Sequence, residues 1–458
     1  MSEKRDLLKS GRAFIYIVIA LTHVTTSTQL FILGKNWRLS LAELASFVET
    51  RKATLKVNSF SKEFIVVRID ENKVFWNIAD LGGFIKVGDV RLTLSTENVK
   101  EAFFEKSKEA KRQISKDVAF SGLIDGMVEA ASGKTVFGVS VYCAEKSLRS
   151  ISRSIQRFVG STIKRELAKR DIKSKFMGFP KNRKLPQLSH VEVLKKELVE
   201  NKAEILFCVG KNQTFVAVTT AVHNPFEFQK RDVGKPVQRK IFAIPPRLAK
   251  IMINLGGCTE GKVLLDPFCG VGTILQEALL AEAKVLGVDV NGWCVEAAKR
   301  NMAWLISEYS LENAEYRVLQ GDVHKLSRKI GLEQVDCVAT EPDLGPAMRQ
   351  VPTTSYAMRI AERLKPLYNV LLEEAYKVLK KGGRLVLVSP FIKARSGKPV
   401  AMEIEEKAVA MGFAKVFPFK KDLFTEDTVM PEKLMTMASF VDAEERHKIG
   451  RQIHIFRR

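Results

Sequence analysis

The chain has 458 residues, of which 46% are hydrophobic and 28% are charged, so it should fold into several globular domains and is not disordered. Its 74 lysines and arginines outnumber 52 acidic residues and leave a formal net charge of +22, which indicates a polyanionic partner such as nucleic acid. The alternative is a basic surface that serves only solubility. No apolar run reaches the about 18 residues that a membrane-spanning helix requires.

The first 27 residues are predicted to form an N-terminal extension. Basic residues precede the apolar run 13–21, which is the outline of a signal peptide. No small-x-small cleavage site follows the run. We therefore favour a strand-like extension, or a start site assigned too early, over a signal peptide.

Residues 28–112 are predicted to form a small α+β domain. The hydrophobic pattern indicates strands at 29–33, 64–68 and 74–78, and helices at 41–48 and 98–111. Ser40 precedes the first helix and Glu43 follows three residues later. This spacing predicts a capping box at the start of that helix.

Residues 113–222 are predicted to form a second α+β domain. Strands are indicated at 135–142, 204–209 and 214–219, and a helix at 191–200. Apolar residues recur at steps of three and four from Leu148 to Leu167. This period predicts an amphipathic helix.

Positive charge is concentrated on and after this amphipathic helix. Residues 145–184 hold 13 lysines and arginines but three acidic residues, and the following loop carries Phe176, Met177 and Phe179 for base stacking. We predict an RNA-binding face, with an ordinary solvated surface as the alternative. The candidate residues are Arg149, Arg153, Arg157, Lys164, Arg165, Lys169, Arg170, Lys173, Lys175, Lys181, Arg183 and Lys184.

Residues 223–245 are polar and contain prolines and glycine, which predicts a linker. From residue 246 to 458 strands and helices alternate. This pattern is typical of an α/β domain with a mainly parallel sheet.

A glycine-containing turn follows the first strand of that α/β domain. The strand at 262–265 leads into DPFCGVGT (266–273) and then into a helix at 274–280. A strand, a glycine turn and a helix form the place where an α/β sheet admits a cofactor close to its backbone. A phosphate-binding P-loop and a three-glycine dinucleotide motif are both absent.

Acidic residues end the next three predicted strands of the domain. Asp289 is placed to accept hydrogen bonds from ribose hydroxyls, and Asp322 from an adenine amino group. Glu341 ends the fourth strand at 335–340. Each acid has an alternative role as a helix N-cap, since aspartate is favoured there.

Cysteines and histidines form no recognisable metal motif. Six of each are scattered along the chain, with neither CxxC nor HExxH. We therefore predict no metal site and no disulfide framework, and we expect a reducing, cytoplasmic environment. The cysteines are Cys143, Cys208, Cys258, Cys269, Cys294 and Cys337.

Four motifs resemble, in order, those of the Rossmann-like S-adenosylmethionine-dependent methyltransferases: DPFCGVGT, GVDV, QGDV and EPDLG. The first resembles the subgroup that methylates exocyclic amino groups of bases. Upstream segments narrow the resemblance to the THUMP-domain tRNA guanine-N2 methyltransferases that modify position 10. These segments are FILGKNWRLSLAEL, LSHVEVLKKEL, AVTTAVHNP, KRDVGKP and PPRLAKIMINL.

The resemblance covers residues 28–458 and implies a domain order, a cofactor and a partner. It implies a ferredoxin-like domain at 28–112, a THUMP-like domain at 113–222 and a methyltransferase domain at 246–458. S-adenosyl-L-methionine would be the cofactor and tRNA the partner, with a small activator subunit possible in this family. The implied cofactor-binding residues are Asp266, Pro267, Phe268, Gly270, Gly272, Thr273, Asp289, Val290, Asp322 and Val323.

The catalytic motif departs from the family pattern of Asp or Asn, two prolines and an aromatic residue. The corresponding residues here are Glu341, Pro342, Asp343 and Leu344. Glutamate can still accept a hydrogen bond from an amino group, but leucine cannot stack on a base as a ring does. The alternatives are a DNA amino-methyltransferase acting on adenine N6 or cytosine N4, and an RNA-binding protein that has lost catalysis.

Overall fold

The structure is a computed structural model that describes residues 26–52, 55–70, 77–131, 133–179, 184–239, 243–426, 428 and 431–458. Within these ranges the strands form two sheets, one before residue 223 and one after residue 262. None of the helices described is long and apolar enough to span a membrane. Residues 1–25 of the predicted extension at 1–27, and most of the predicted strand at 74–78, lie outside the described residues.

The first sheet runs through both predicted N-terminal domains. Its strands are β1 (Thr26–Leu33), β2 (Leu55–Phe60), β3 (Phe64–Asp70), β4 (Phe84–Ser95), β5 (Thr135–Cys143), β6 (Ser174–Phe176), β7 (Glu204–Val209) and β8 (Gln213–Val222). Their spatial order is β2-β3-β1-β4-β8-β7-β5-β6. The antiparallel pairing of β4 with β8 joins the two halves. The sequence pattern missed β2 and β4.

Seven helices accompany this part of the described chain. They are α1 (Trp37–Thr50), α2 (Thr96–Phe103), α3 (Lys108–Phe120), α4 (Asp125–Glu129), α5 (Ser152–Ala168), α6 (His190–Lys195) and α7 (Pro225–Val233). The predicted amphipathic helix is α5, and it buries Ile155, Val159, Ile163 and Leu167.

Three helix predictions need correction. The helix expected at 98–111 is two helices, because the Ser107 hydroxyl accepts a hydrogen bond from the Ala110 amide at 3.2 Å and starts α3. The helix expected at 191–200 ends at Lys195. The predicted linker contains α7, which Asn224 caps by accepting from the Phe226 amide at 3.0 Å.

The predicted capping box of Ser40 and Glu43 is wrong. Helix α1 begins at Trp37 with Asn36 as its N-cap. The Ser40 hydroxyl donates to the Gly83 carbonyl at 2.7 Å, and the buried Glu43 carboxylate accepts from the Gly83 amide at 2.8 Å. Both side chains therefore bind the loop before β4, and they do not cap α1 as a reciprocal pair.

The second sheet has the mainly parallel order that the alternating pattern predicts. Its strands are β9 (Val263–Asp266), β10 (Lys284–Asp289), β11 (Tyr316–Gln320), β12 (Val335–Thr340), β13 (Leu379–Ile392), β14 (Val400–Ala401), β15 (Ala414–Lys415), β16 (Ser439–Asp442) and β17 (Ile449–Arg457). The order is β11-β10-β9-β12-β13-β17-β15, with β14 on β13 and β16 on β17. Strands β9 to β13 are mutually parallel, and β17 is antiparallel to β13.

The helices of the second half are α8 (Pro246–Gly256), α9 (Thr273–Leu279), α10 (Gly292–Tyr309), α11 (Leu326–Ile330), α12 (Thr354–Val378), α13 (Ile404–Ala410) and α14 (Glu432–Met435). Helix α8 packs against α1 and connects the two halves. The Asn254 amide donates to Glu43 Oε1 at 2.8 Å and to the Asp80 carbonyl at 2.7 Å. Burial raises the pKa of Glu43 to about 7 at this contact.

The apolar cores divide the chain at a different place from the predicted domain boundaries. One core joins buried side chains of residues 31–87 with those of residues 244–455, and another contains residues 94–222. The predicted boundary at residue 112 falls inside α3. The change from one core to the other lies between Val87 and Leu94.

The prediction of no disulfide framework needs one correction. Cys258 and Cys337 form a disulfide, and their Cα atoms are 6.2 Å apart. Cys258 follows α8, and Cys337 lies on β12. The two cysteines are 79 residues apart, so their proximity arises from the packing of α8 on the sheet, which cysteine spacing cannot reveal.

Candidate functional site

The loop between β9 and α9 exposes its backbone to a cleft. Gly270 and Gly272 have φ angles of +51° and +87°, which residues with a Cβ rarely adopt. Among the described residues, a Cβ on Gly270 would come within 4 Å of the Arg239 guanidinium alone, at 3.9 Å. A Cβ on Gly272 would lie 3.0 Å from the Met302 methyl group. Gly270 therefore opens the cleft, and Gly272 allows close packing on α10.

Asp266 lies at the end of β9 and is almost fully buried. Its Oδ1 accepts hydrogen bonds from the Phe268 amide at 3.1 Å and from the Thr340 hydroxyl at 2.7 Å. Burial raises the pKa of Asp266 to about 7, and the negative charges of Asp289 and Glu341 act in the same direction. Sequence reasoning missed Thr340, which ties the glycine loop to the end of β12.

Asp289, the predicted ribose-binding carboxylate, ends β10 and lies beside the glycine loop. Its Oδ2 accepts from the Gly270 amide at 2.9 Å, and its Oδ1 accepts from the Asn291 amide at 2.8 Å. Each carboxylate oxygen keeps acceptor capacity for a further hydroxyl donor. The next residue, Val290, is 67% exposed and offers an apolar surface beside it.

Asp322 fulfils the alternative role of a helix N-cap. Its Oδ1 accepts from the His324 amide at 3.0 Å and lies 2.7 Å from Nδ1 of the same histidine, at the start of the 3-10 helix Val323–Lys325. These hydrogen bonds lower the pKa of Asp322. The neighbouring Val323 side chain is buried in the apolar core.

The remaining residues of the predicted cofactor motif are mostly buried. Pro267 is buried, and Phe268 is half-buried. The Thr273 hydroxyl accepts a hydrogen bond from Lys235 at 2.9 Å, and both side chains are buried. Thr273 thus connects the glycine loop to the segment that precedes the α/β domain.

That preceding segment, residues 234–239, is part of the site although the sequence predicted a linker. The buried Asn301 amide accepts from the Val237 backbone and donates back to it, both at 2.9 Å, and it also donates to the Val271 carbonyl. Arg239 lines a cleft of about 60 Å³ together with Asp266, Gly270 and Glu341. Sequence reasoning missed Lys235 and Arg239, although both lie in or just after the KRDVGKP segment.

The predicted catalytic motif follows β12, and its first residue, Glu341, lines the same cleft. Glu341 forms a two-point ion pair with Arg451, with Nη2 to Oε1 at 3.1 Å. Asp343 Oδ1 accepts from the Gly345 amide at 2.9 Å, and its carbonyl accepts from the Tyr368 hydroxyl at 3.1 Å. Pro342 is buried, and Leu344 packs against the apolar core. Arg451 and Tyr368 were not found from the sequence, because they lie 110 and 25 residues away from their partners.

The predicted RNA-binding residues lie on or after α5, and most are exposed. The exposed members are Arg157, Lys164, Arg165, Lys169, Arg170, Lys173, Lys175 and Lys184, while Arg149 and Arg153 are partly buried. Several of the described members pair with acidic residues: Arg149 with Glu63, Arg165 and Lys169 with Glu166, and Arg170 with Asp125. Lys181 and Arg183 lie outside the described residues.

The expectation that Phe176 stacks on bases is wrong. Its ring lies 5.3 Å from that of Phe137, and a Cβ on Gly160 of α5 would lie 2.3 Å from it. Met177 and Phe179 also pack against this core. The loop therefore contributes charge at its surface and apolar packing beneath it.

Comparisons with known proteins agree with this geometry. Residues 236–394 match the UPF0020 family, described as an RMKL-like methyltransferase domain. The tRNA (guanine(10)-N2)-dimethyltransferase of Methanothermobacter thermautotrophicus is 31% identical over 160 residues, which are 34% of this chain and 42% of that protein. The protein of the same name from Pyrococcus abyssi is 34% identical over 164 residues, which are 36% of this chain and 44% of that protein.

The crystal structure of TrmN from Thermus thermophilus is similar over 94% of this chain and 99% of that chain, with a TM-score of 0.50 and 15% sequence identity. This likeness shows the fold. The chain spans less than half the length of the two sequence relatives that it matches. Residues 236–394 of this chain therefore match a methyltransferase-domain family, and they contain strands β9 to β13 of the mainly parallel sheet described above.

Proposed function

We propose that this protein transfers a methyl group from S-adenosyl-L-methionine to the exocyclic N2 amino group of a guanosine in tRNA, at position 10. The observation that carries the proposal is one cleft in which Glu341 lies with Asp266 and Gly270. A hydrogen-bond acceptor for the target amino group thus adjoins the loop that admits the cofactor. The names of the archaeal relatives support guanine N2 as the target.

The residues present fit the proposed cofactor. Asp289 would accept from the ribose hydroxyls, and Val290 would pack against the adenine. Gly270 has no side chain, and a Cβ there would come no closer than 3.9 Å to the Arg239 guanidinium, so a ligand can approach this backbone closely. Asp322 Oδ2 is left for the adenine amino group, since Oδ1 takes both contacts with His324. When bound, the cofactor supplies an electrophilic methyl group on a sulfonium.

The carboxylate of Glu341 and the carbonyl of Pro342 would hold the target nitrogen. The lone pair of a base amino group is delocalised into the ring, so the nitrogen is a weak nucleophile. Two acceptors that bind its N–H groups favour a pyramidal nitrogen and aim its lone pair at the methyl group. A reacting distance of about 3–3.5 Å then supplies much of the rate. The proton released from the methylated nitrogen passes to Glu341 or to water.

The guanine has to leave its stack to reach this cleft, which costs a few kcal/mol. The basic residues on and after α5 would provide the phosphate contacts that offset this cost. We propose tRNA as the partner and the cytoplasm as the place of action. The small activator subunit implied by the family resemblance stays a prediction.

The test is nucleoside mass spectrometry of an unmodified tRNA transcript after incubation with the purified protein and S-adenosyl-L-methionine. We expect N2-methylguanosine or its dimethyl form. A matched transcript with adenosine at position 10 should gain no methyl group there. Methylation of adenine or cytosine in a duplex DNA instead would replace the proposal by the DNA alternative. Calorimetry that detects no cofactor binding at millimolar concentration would leave an RNA-binding protein.

A further inference from the structure

The carboxylate of the catalytic motif is held by a cation from the last strand of the chain. Glu341 directly follows β12, and Arg451 lies near the start of β17. Because β17 is antiparallel to β13 and β13 is parallel to β12, the start of β17 lies at the sheet edge where β12 ends. The topology thus brings together two residues that are 110 positions apart.

The contact between them is buried and has two points. Nε of Arg451 binds Oε2, and Nη2 binds Oε1 at 3.1 Å. The side chains are 13% and 9% exposed, respectively. A planar guanidinium bound through two nitrogens fixes both the position and the plane of a carboxylate, which a single-point lysine contact does not.

This fixation bears on the departure of the motif from its family pattern. Glutamate has one more rotatable bond than aspartate, so its carboxylate can occupy more positions. An ionised carboxylate offers about four acceptor sites, and the ion pair with Arg451 uses two of them. The other two remain for a substrate N–H, and their direction is set by Arg451.

We propose that Arg451 is a positioning residue, which holds the Glu341 carboxylate so that its remaining acceptor sites meet the amino group to be methylated. This inference rests on the proposed function. It assigns to Arg451 no contact with the base or the cofactor. The backbone of the motif has a separate support, the hydrogen bond from Tyr368 to the Asp343 carbonyl.

A purely structural ion pair would predict a different set of effects. Loss of a structural pair lowers thermal stability and cofactor binding together, because Glu341 and Asp266 line one cleft. Loss of positioning lowers kcat while the affinity for S-adenosyl-L-methionine is retained. A role of Arg451 that does not act through Glu341 would make the loss in kcat independent of what residue 341 is.

The experiment compares Arg451→Met, Arg451→Lys and the control Arg457→Met. Arg457 lies on the same strand and pairs with Glu49 at 3.5 Å, away from the cleft. We expect Arg451→Met to lower kcat about 10²-fold, as a misplacement of about 1 Å does. The Kd for S-adenosyl-L-methionine should change less than about twofold. Arg451→Lys should recover part of the loss, and the control should keep the wild-type kcat.

A double-mutant cycle tests whether Arg451 acts through Glu341, while the retained cofactor affinity in the single variant separates positioning from a general loss of structure. Glu341→Gln lowers kcat by itself, and addition of Arg451→Met in that background should cause no further loss, because Arg451 then has no carboxylate to hold. If the two losses in kcat multiply in the double variant, or if Arg451→Met alone keeps the wild-type kcat, the inference is overturned while the proposed function stands. Wild-type protein that methylates no guanosine would overturn the proposed function and this inference with it.

Discussion

Replacement of Glu277 by glutamine should destabilise the methyltransferase domain strongly. Glu277 lies in α9, and its side chain has no solvent exposure. Its Oε1 accepts from Arg231 Nε at 2.5 Å, and its Oε2 lies 3.3 Å from Lys250 Nζ. Arg231 and Lys250 are themselves 7% and 5% exposed. One buried carboxylate therefore compensates two buried cations.

The size of the effect follows from this burial. Removing one partner of a buried ion pair leaves an uncompensated charge and costs about 3–5 kcal/mol. For a domain of this size, a loss of 1 kcal/mol in the free energy of unfolding lowers the melting temperature by about 2–4 °C. The melting temperature of the variant should therefore fall by about 6–20 °C. Arg231 keeps a contact with Glu227 at 3.9 Å, which favours the lower end of that range.

Differential scanning calorimetry of the wild-type protein and Glu277→Gln measures the change. The matched control is Glu296→Gln, where a 69% exposed glutamate pairs with Lys299 on the surface of α10 and contributes less than about 1 kcal/mol. A Glu277→Gln variant that melts together with this control would refute the reasoning. Cofactor affinity should fall as well, since α9 begins in the glycine loop.

Three further predictions concern the cofactor site, pH and RNA. Asp289→Asn should weaken S-adenosyl-L-methionine binding at least tenfold in calorimetry, because hydrogen bonds to a charged acceptor contribute about 1.5–3 kcal/mol each; unchanged binding would exclude Asp289 from the site. Asp266 has a folded-state pKa of about 7 against 3.8 in the unfolded chain, so its stabilising contribution is complete below pH 4 and is lost as the pH rises through 7. As the pH is raised from 5 to 8, the melting temperature of the wild-type protein should therefore fall relative to that of Asp266→Asn, and parallel curves for the two proteins would contradict this. Replacement of Arg157, Lys164 and Lys175 by glutamate should weaken tRNA binding and reduce the salt slope by about 2–3, whereas an unchanged slope would make this an ordinary solvated surface.

Local pattern determined many elements of this protein directly. The strands at β7 and β12, the buried stripe of α5 and the strand-turn-helix around Gly270 follow from periodicity and turn chemistry, which depend on neighbours within a few residues. The predicted motifs from residue 266 to residue 344 lie within residues 236–394, which match a methyltransferase-domain family. Such features need no knowledge of distant contacts.

Predictions failed where a distant partner outweighed a local one. Ser40 and Glu43 have the spacing of a capping box, but the loop before β4 offers buried amide and carbonyl groups that need partners. Phe176 follows a basic helix, yet it fills the space that Gly160 leaves open. Residues 234–239 have a linker composition but pack on the glycine loop through Asn301.

The local sequence therefore determined some residues of the candidate site, and the tertiary structure determined the others. The sequence alone specified the residues that end parallel strands, Asp266, Asp289 and Glu341, because a strand and its turn are encoded locally. Only the tertiary structure decided that Thr340 binds Asp266 and that Arg451 binds Glu341. The order and direction of strands in the sheet create these contacts, and strand order depends on packing across the whole domain rather than on any local run of residues.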